Sequence, residues 1–212
     1  MSRPLLRGLT PLFGANGRRA IVILVVAAAG VLLAVPATAG ARLDKHQKAY
    51  FKAMLGFQAD EFTGSVSVFD TWCDTEDMNR DDLEALIASM NPDDLPAIQA
   101  YEESAGVFAQ AIRAKVAAEK PVADKSIRRF YAKTLPWFKG KSVRRDLREG
   151  TVALRGAFAA LYEAYSHLGM AVQALSSADF VTYDEESAIA KGARDGAVSL
   201  FDAGMEKLRG LL

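Results

Sequence analysis

Glu163 and His167 are the first side chains in this sequence that suggest chemistry. They stand four residues apart, so on a helix they share one face. Such a pair can move a proton or supply half of a metal site. A di-metal carboxylate bundle needs Glu-x-x-His twice, with further glutamates on facing helices. Here the spacing differs by one residue and no second copy exists, so a hydrogen-bonded pair in or beside a core is expected. Cys73, the one cysteine, excludes an internal disulfide framework and a cysteine-based zinc site. Beside Trp72 it reads as a small buried hydrophobe; in an oxidising compartment the alternative is a disulfide between chains. The two histidines, His46 and His167, are far apart, and there is no haem motif, phosphate loop or nucleophile triad. We therefore expect no metal, no cofactor and no enzymatic activity.

The segment Ser126–Arg148 offers binding rather than catalysis. It interleaves Arg128, Arg129, Lys133, Lys139, Lys141, Arg144 and Arg145 with Phe130, Tyr131, Trp137 and Phe138. Trp and Tyr beside Lys and Arg suit an interface with anionic lipid headgroups. Arg128, Arg129, Tyr131, Lys133, Trp137, Lys139, Lys141, Arg144 and Arg145 are the candidate contacts to lipid or to a partner. The bland alternative is a connector docked by its aromatics, with its bases solvated. A second bland reading follows from charge segregation within a net charge of zero. Gln58–Glu103 holds thirteen acids and one base, whereas Lys120–Arg155 holds eleven bases and three acids, so the two regions would neutralise each other.

The element that must position these groups is Val143–Leu175. Leu147, Leu154, Leu161, Leu168 and Leu175 recur every seventh residue, with Thr151, Phe158, Tyr165 and Val172 four residues after the first four. That is an apolar seam on one long helix, roughly 50 Å at 1.5 Å per residue. Between Gly156 and Ala178 the only full charge is Glu163, and the flanks are mostly Ala and Gly. A helix small and apolar almost all round is buried among others. A leucine zipper reading, with the basic segment just before the leucines, fails, because Pro136 and Gly140 interrupt the helix that would enter a DNA groove. No nucleic acid partner is expected.

Three more long helices follow from periodicity. One spans Leu43–Cys73, with Phe51, Leu55, Phe62, Phe69 and Cys73 on a face. A polar break at Asp74–Asp82 and a short helix capped by Asp81 and Glu84 come next. Asn91-Pro92-Asp93-Asp94 opens the second long helix, which Pro121 is expected to end near Glu119. A short basic helix runs from Asp124 to Phe138. Ser142 is expected to cap the central helix. Thr182 with Glu185 starts the last one, Tyr183–Leu211, with Ile189, Ala193, Leu200 and Leu208 inward. Gly192, Gly196 and Gly204 on that helix are spaced for close backbone approach.

The N-terminus carries Arg3, Arg7, Arg18 and Arg19 before an apolar run. From Ala20 to Ala41 there are 22 residues without a charge, and Ala37-Thr38-Ala39 is an A-x-A triplet. This meets the pattern of a secretory signal cleaved after Ala39, and equally that of a retained membrane anchor. Arg18-Arg19 also fits the loosest form of a twin-arginine export signal. Each reading places Arg42–Leu212 outside the cytoplasm, in the cell envelope or secreted. The expected fold is all-α: an antiparallel bundle of about four long helices (residues 42–212) with short accessory helices, behind a signal or anchor helix (residues 1–41). The expected function is that of an exported or anchored structural or interaction protein, meeting the membrane and an unidentified protein partner. The alternative is a sensory-type ectodomain holding a small molecule, for instance between the Ala- and Gly-rich faces of the last two helices.

Overall fold

The structure is a computed structural model and describes residues 43–212. The expected signal or anchor helix over residues 20–41 lies outside the described residues. Four long helices account for nearly all of the rest: α1 Lys45–Ser89, α2 Leu95–Thr134, α3 Lys141–Leu175 and α4 Phe180–Arg209. No strand occurs among the described residues, and none of their helices is long and apolar enough to cross a membrane.

The helices run up, down, up, down. Tyr50 of α1 meets Trp137 just beyond α2, and Trp72 meets Phe108, so α1 and α2 are antiparallel. Arg155 of α3 reaches Asp124 and Arg113 reaches Gln173, so α2 and α3 are antiparallel. Gly150 meets Gly204 near one end of the α3–α4 pair, and His167 meets Glu186 nearer the other, so α3 and α4 are antiparallel. That packing makes α3 the shared post. None of the five leucines, nor Thr151, Phe158, Tyr165 or Val172, is more than 4% exposed. Tyr165 fixes the diagonal: its hydroxyl donates to the Ser65 carbonyl at 2.6 Å, and its ring meets Phe69 and Trp72 edge-on.

The expected accessory helices are not separate. α1 begins where Asp44 and Gln47 form a reciprocal capping box, and it continues through the acidic stretch expected as a break. That stretch contains no Gly or Pro. Two of its polar side chains are held by α4: Asp77 accepts from Tyr183 Oη at 2.9 Å and Lys191 Nζ at 2.6 Å, and Arg80 reaches Asp184 at 3.1 Å. Asp81 and Glu84 are both bonded to Arg80 rather than capping a new helix. Tertiary bonds thus outweigh weak local propensity. Asn91 does cap the next turn, accepting from the Asp93 N–H at 3.1 Å, and a 3-10 turn Pro92–Asp94 leads into α2.

Pro121 does not end α2. Proline removes one N–H, here the partner of the Ala117 carbonyl. Both residues are exposed, so water can serve that carbonyl. The helix stops where a second proline follows, in a 3-10 turn Leu135–Trp137. Gly140, at φ 106°, then turns the chain and is itself the N-cap of α3, so the expected cap Ser142 lies inside the helix. Asp179 caps α4 by accepting from the Thr182 N–H at 3.1 Å, in place of the expected Thr182–Glu185 box. On α4 Leu208 is buried as expected. Ile189, Ala193 and Leu200 are only half-buried, and the inward face is Ala190, Ala197, Phe201 and Met205.

Candidate functional site

The basic segment folds as the end of α2, the turn after it and the first turns of α3. Its aromatics fasten it to α1. Phe130 and Phe138 are buried against Phe51, with ring centroids 5.1 and 5.5 Å away. Trp137 is half-buried, edge-on to Tyr50 at 5.4 Å, and Lys133 Nζ stands 3.9 Å over the Tyr50 ring. Tyr131 is half-buried too. The rings therefore dock the segment, and what the segment presents outward is charge.

Not all of that charge is equally available. Arg128 Nε donates to Asp124 at 2.6 Å, and Arg155 Nε donates to the same carboxylate at 2.8 Å. Those two guanidinium groups, Arg155 foremost, hold the Asp124 carboxyl below its usual range. Arg144 Nε donates to the Phe138 carbonyl at 2.8 Å and so closes the turn into α3. Arg145 lies 3.5 Å from Asp146 and 3.9 Å from Glu149. Glu149 also pairs with Lys207 of α4, which chiefly holds its carboxyl low. Arg129, Lys139, Lys141 and Arg148 are exposed, and among the described residues none has a carboxylate within ion-pair reach.

The acidic half of the chain does not neutralise this segment. Among the described residues no ion pair joins 58–103 to 120–155. The acids of α1 pair with α4 instead: Arg194 grips Asp70 with Nε at 2.9 Å and Nη2 at 2.6 Å, and Lys191 takes Asp77. This α1–α4 ladder was missed in the sequence. The two charged segments lie at opposite ends of the bundle. Lys45, Lys48 and Lys52 share the end of the basic segment, whereas Asp74–Glu84 is centred about 40 Å further along α1.

The other candidates resolve into packing. Glu163 is exposed and does not pair with His167. His167 Nδ1 instead lies 2.6 Å from Glu186 Oε2, across the α3–α4 interface. Cys73 is buried, and burial pushes its thiol up to about 12, so the thiolate that reacts is suppressed. Among the described residues no three His, Cys, Asp or Glu side chains converge as a metal site would need.

The faces of the last two helices leave no room for a ligand at their crossing. A Cβ on Gly150 would lie 2.7 Å from Leu208 Cγ, and one on Gly204 would lie 3.0 Å from the Gly150 carbonyl. The space is on the other side of α3. A cavity of about 200 Å³ opens between α1 and α2, floored by Phe158 and Tyr162 of α3. Ring pairs hold α1 and α2 apart above and below it, Trp72–Phe108 at 5.0 Å and Phe51–Phe130 at 5.1 Å. Between those spacers α2 lines the cavity with Ala118, Glu119, Val122, Ala123 and Ser126, none of them a ring that could span the gap. No pattern of spacing signals this, because it arises from side chains that are absent. No family model matches this chain, and no match was found among the curated proteins or the solved structures.

Proposed function

We propose that the chain is a non-catalytic interaction protein of the cell envelope, exported or held by its N-terminal segment. Its basic bundle end rests on anionic lipid headgroups, and its acidic end is turned away from the bilayer toward a protein partner. One observation carries this reading: the basic end is the end at which the chain enters the bundle. α1 starts at Lys45, with three residues between it and the end of the uncharged stretch Ala20–Ala41. A tether there holds Arg129, Lys139, Lys141 and Arg148 close to a headgroup layer. Each base near such a surface is worth about 1 kcal/mol, falling off within a Debye length. With the aromatics committed to the bundle, the contact is one of charge rather than of inserted rings.

Residues 43–212 carry their own core, so the bundle is suited to a vesicle test. Co-sedimentation should rise with the fraction of anionic lipid and fall with salt. Reversing Arg129, Lys139, Lys141 and Arg148 to Glu should abolish it while leaving the helical circular dichroism unchanged, since these four support no described ion pair. A wild-type bundle that ignores anionic vesicles at low salt overturns the lipid contact. The export reading has its own check: a C-terminal reporter active only outside the cytoplasm must be active.

A further inference from the structure

We infer that the cavity between α1 and α2 is a binding site for a small organic cation, a protonated amine carrying a compact apolar or aromatic body. The inference is independent of the membrane contact. The cavity's size sets the scale: about 200 Å³ lies below the 300–1,000 Å³ of pockets for drug-sized ligands, so the occupant is small. Its walls set the chemistry. Phe57, Phe158 and Tyr162 line it with aromatic rings, and aromatic rings attract a cation. The polar lining is rich in acceptors. Glu61 and Glu119 both line the cavity, and Lys115 binds both oxygens of Glu119 at 2.6 Å. One carboxylate is thus compensated, while Glu61 has no basic partner among the described residues. No basic side chain lines the cavity, which disfavours an anion.

A second observation points the same way. Gln58 is only 2% exposed, a polar side chain placed in the gap of an otherwise aromatic interface. Its Nε2 donates to Ser126 Oγ at 3.0 Å, and its carbonyl oxygen accepts none of the described hydrogen bonds. That oxygen is not sealed from water, so within the cavity a ligand donor can take a water's place on it. An ammonium group has three donors and no acceptor, which complements a carboxylate, an amide carbonyl and aromatic rings together. Phe57, 49% exposed, stands at the mouth, where it can cover the apolar body of a bound amine.

The test uses the purified full chain and three probes of one shape: benzylammonium, benzyl alcohol and benzoate. Ligand-observed NMR titration gives each affinity. Saturable binding of benzylammonium, about tenfold tighter than benzyl alcohol and with benzoate excluded, supports the site. Glu61→Gln should remove the preference for the cation but keep residual binding of the neutral probe. Ala118→Phe should fill the mouth and abolish both. Glu61 and Ala118 are exposed, so neither change threatens folding, and unchanged circular dichroism checks this. Equal binding of amine and alcohol overturns the charge assignment. No saturable binding, or binding indifferent to Ala118→Phe, overturns the site.

Discussion

The two halves of this bundle are built on opposite packing rules. α3 and α4 meet through small residues. Gly150 and Gly204 touch backbone to backbone, and Ala157, Ala164, Ala190 and Ala197 are fully buried. α1 and α2 meet through rings, Phe51 on Phe130 and Trp72 on Phe108. Small residues let helices close until nothing fits between them. Rings act as spacers, and wherever a ring is missing a gap remains. The closed half is suited to holding the fold, and the open half to holding something else. The Gln58–Ser126 hydrogen bond and the cavity both belong to the open half.

The largest break in that contrast should come from the seam of α3. Leu161 is fully buried. Leu161→Ala should cost roughly 2–5 kcal/mol in urea denaturation, and Leu161→Asp should prevent folding by burying an unpaired charge. Phe57→Ala, half-exposed at the cavity mouth, should leave the midpoint nearly unchanged. If the two alanine variants melt alike, the seam is not the core and the contrast is lost.

Gly204→Ala tests the closed half directly. The added methyl would stand 3.1 Å from both the Ala153 Cβ and the Leu154 nitrogen. These are backbone-tied atoms that cannot swing aside, so the helices must separate, at a cost of about 1–3 kcal/mol. An unchanged melting temperature would mean that α3 and α4 are not held at the observed distance.

The two ends of the bundle should answer acid with opposite signs. Asp124 is held low by Arg155 and Arg128, so its carboxylate stabilises the fold at neutral pH. That contribution is present above the ordinary carboxylate range, about pH 4, and is lost as pH falls through the lower folded value. Glu76, near the acidic end, is raised by burial, partly offset by the Asn79 hydrogen bond. Its ionised form opposes folding at neutral pH, and protonation relieves this. Asp124→Asn should therefore destabilise at pH 7 by no more than about 1 kcal/mol, given its exposure, with the effect fading below pH 4. Glu76→Gln should stabilise at pH 7, and its advantage should shrink as pH falls. Paired urea titrations at pH 7 and pH 3 read both signs. The same sign for both would remove the assigned difference between the ends.

How much of this was legible depended on whether the signal was one of presence or of absence. The Leu147–Leu175 seam, the α1 stripe of Phe51, Leu55, Phe62, Phe69 and Cys73, and the Asn91-Pro92 start are written by residues at fixed spacing, and all appear. The false breaks came from local propensity: Asp74–Asp82 looked like a loop until Tyr183, Lys191 and Asp184 supplied partners more than a hundred positions away. The basic segment was visible as composition, but the burial of Phe130 and Phe138 depended on Phe51, far off in sequence. His167 was legible as a polar group needing a bond, though its partner proved to be on another helix.

The smallest effect is the sharpest comparison, because it sets two glycines of one helix against each other. Gly192 and Gly204 share α4 and share the spacing that reads as a close-approach motif. Only Gly204 meets a neighbour; a Cβ on Gly192 would find nothing within 4 Å. At Gly192 the alanine methyl therefore brings no clash, and it removes the backbone entropy that glycine loses on folding into a helix. Gly192→Ala should stabilise by about 0.5–1 kcal/mol while Gly204→Ala destabilises. Melting curves of the two variants and the double variant, recorded together, decide it. The double variant should lie at the sum of the two, since the sites are twelve residues, or about 18 Å, apart along the helix. If Gly192→Ala destabilises as well, that face of α4 packs against something the four-helix bundle does not contain. A second copy of the chain would then be the first candidate, and sedimentation equilibrium of the wild-type protein would show it.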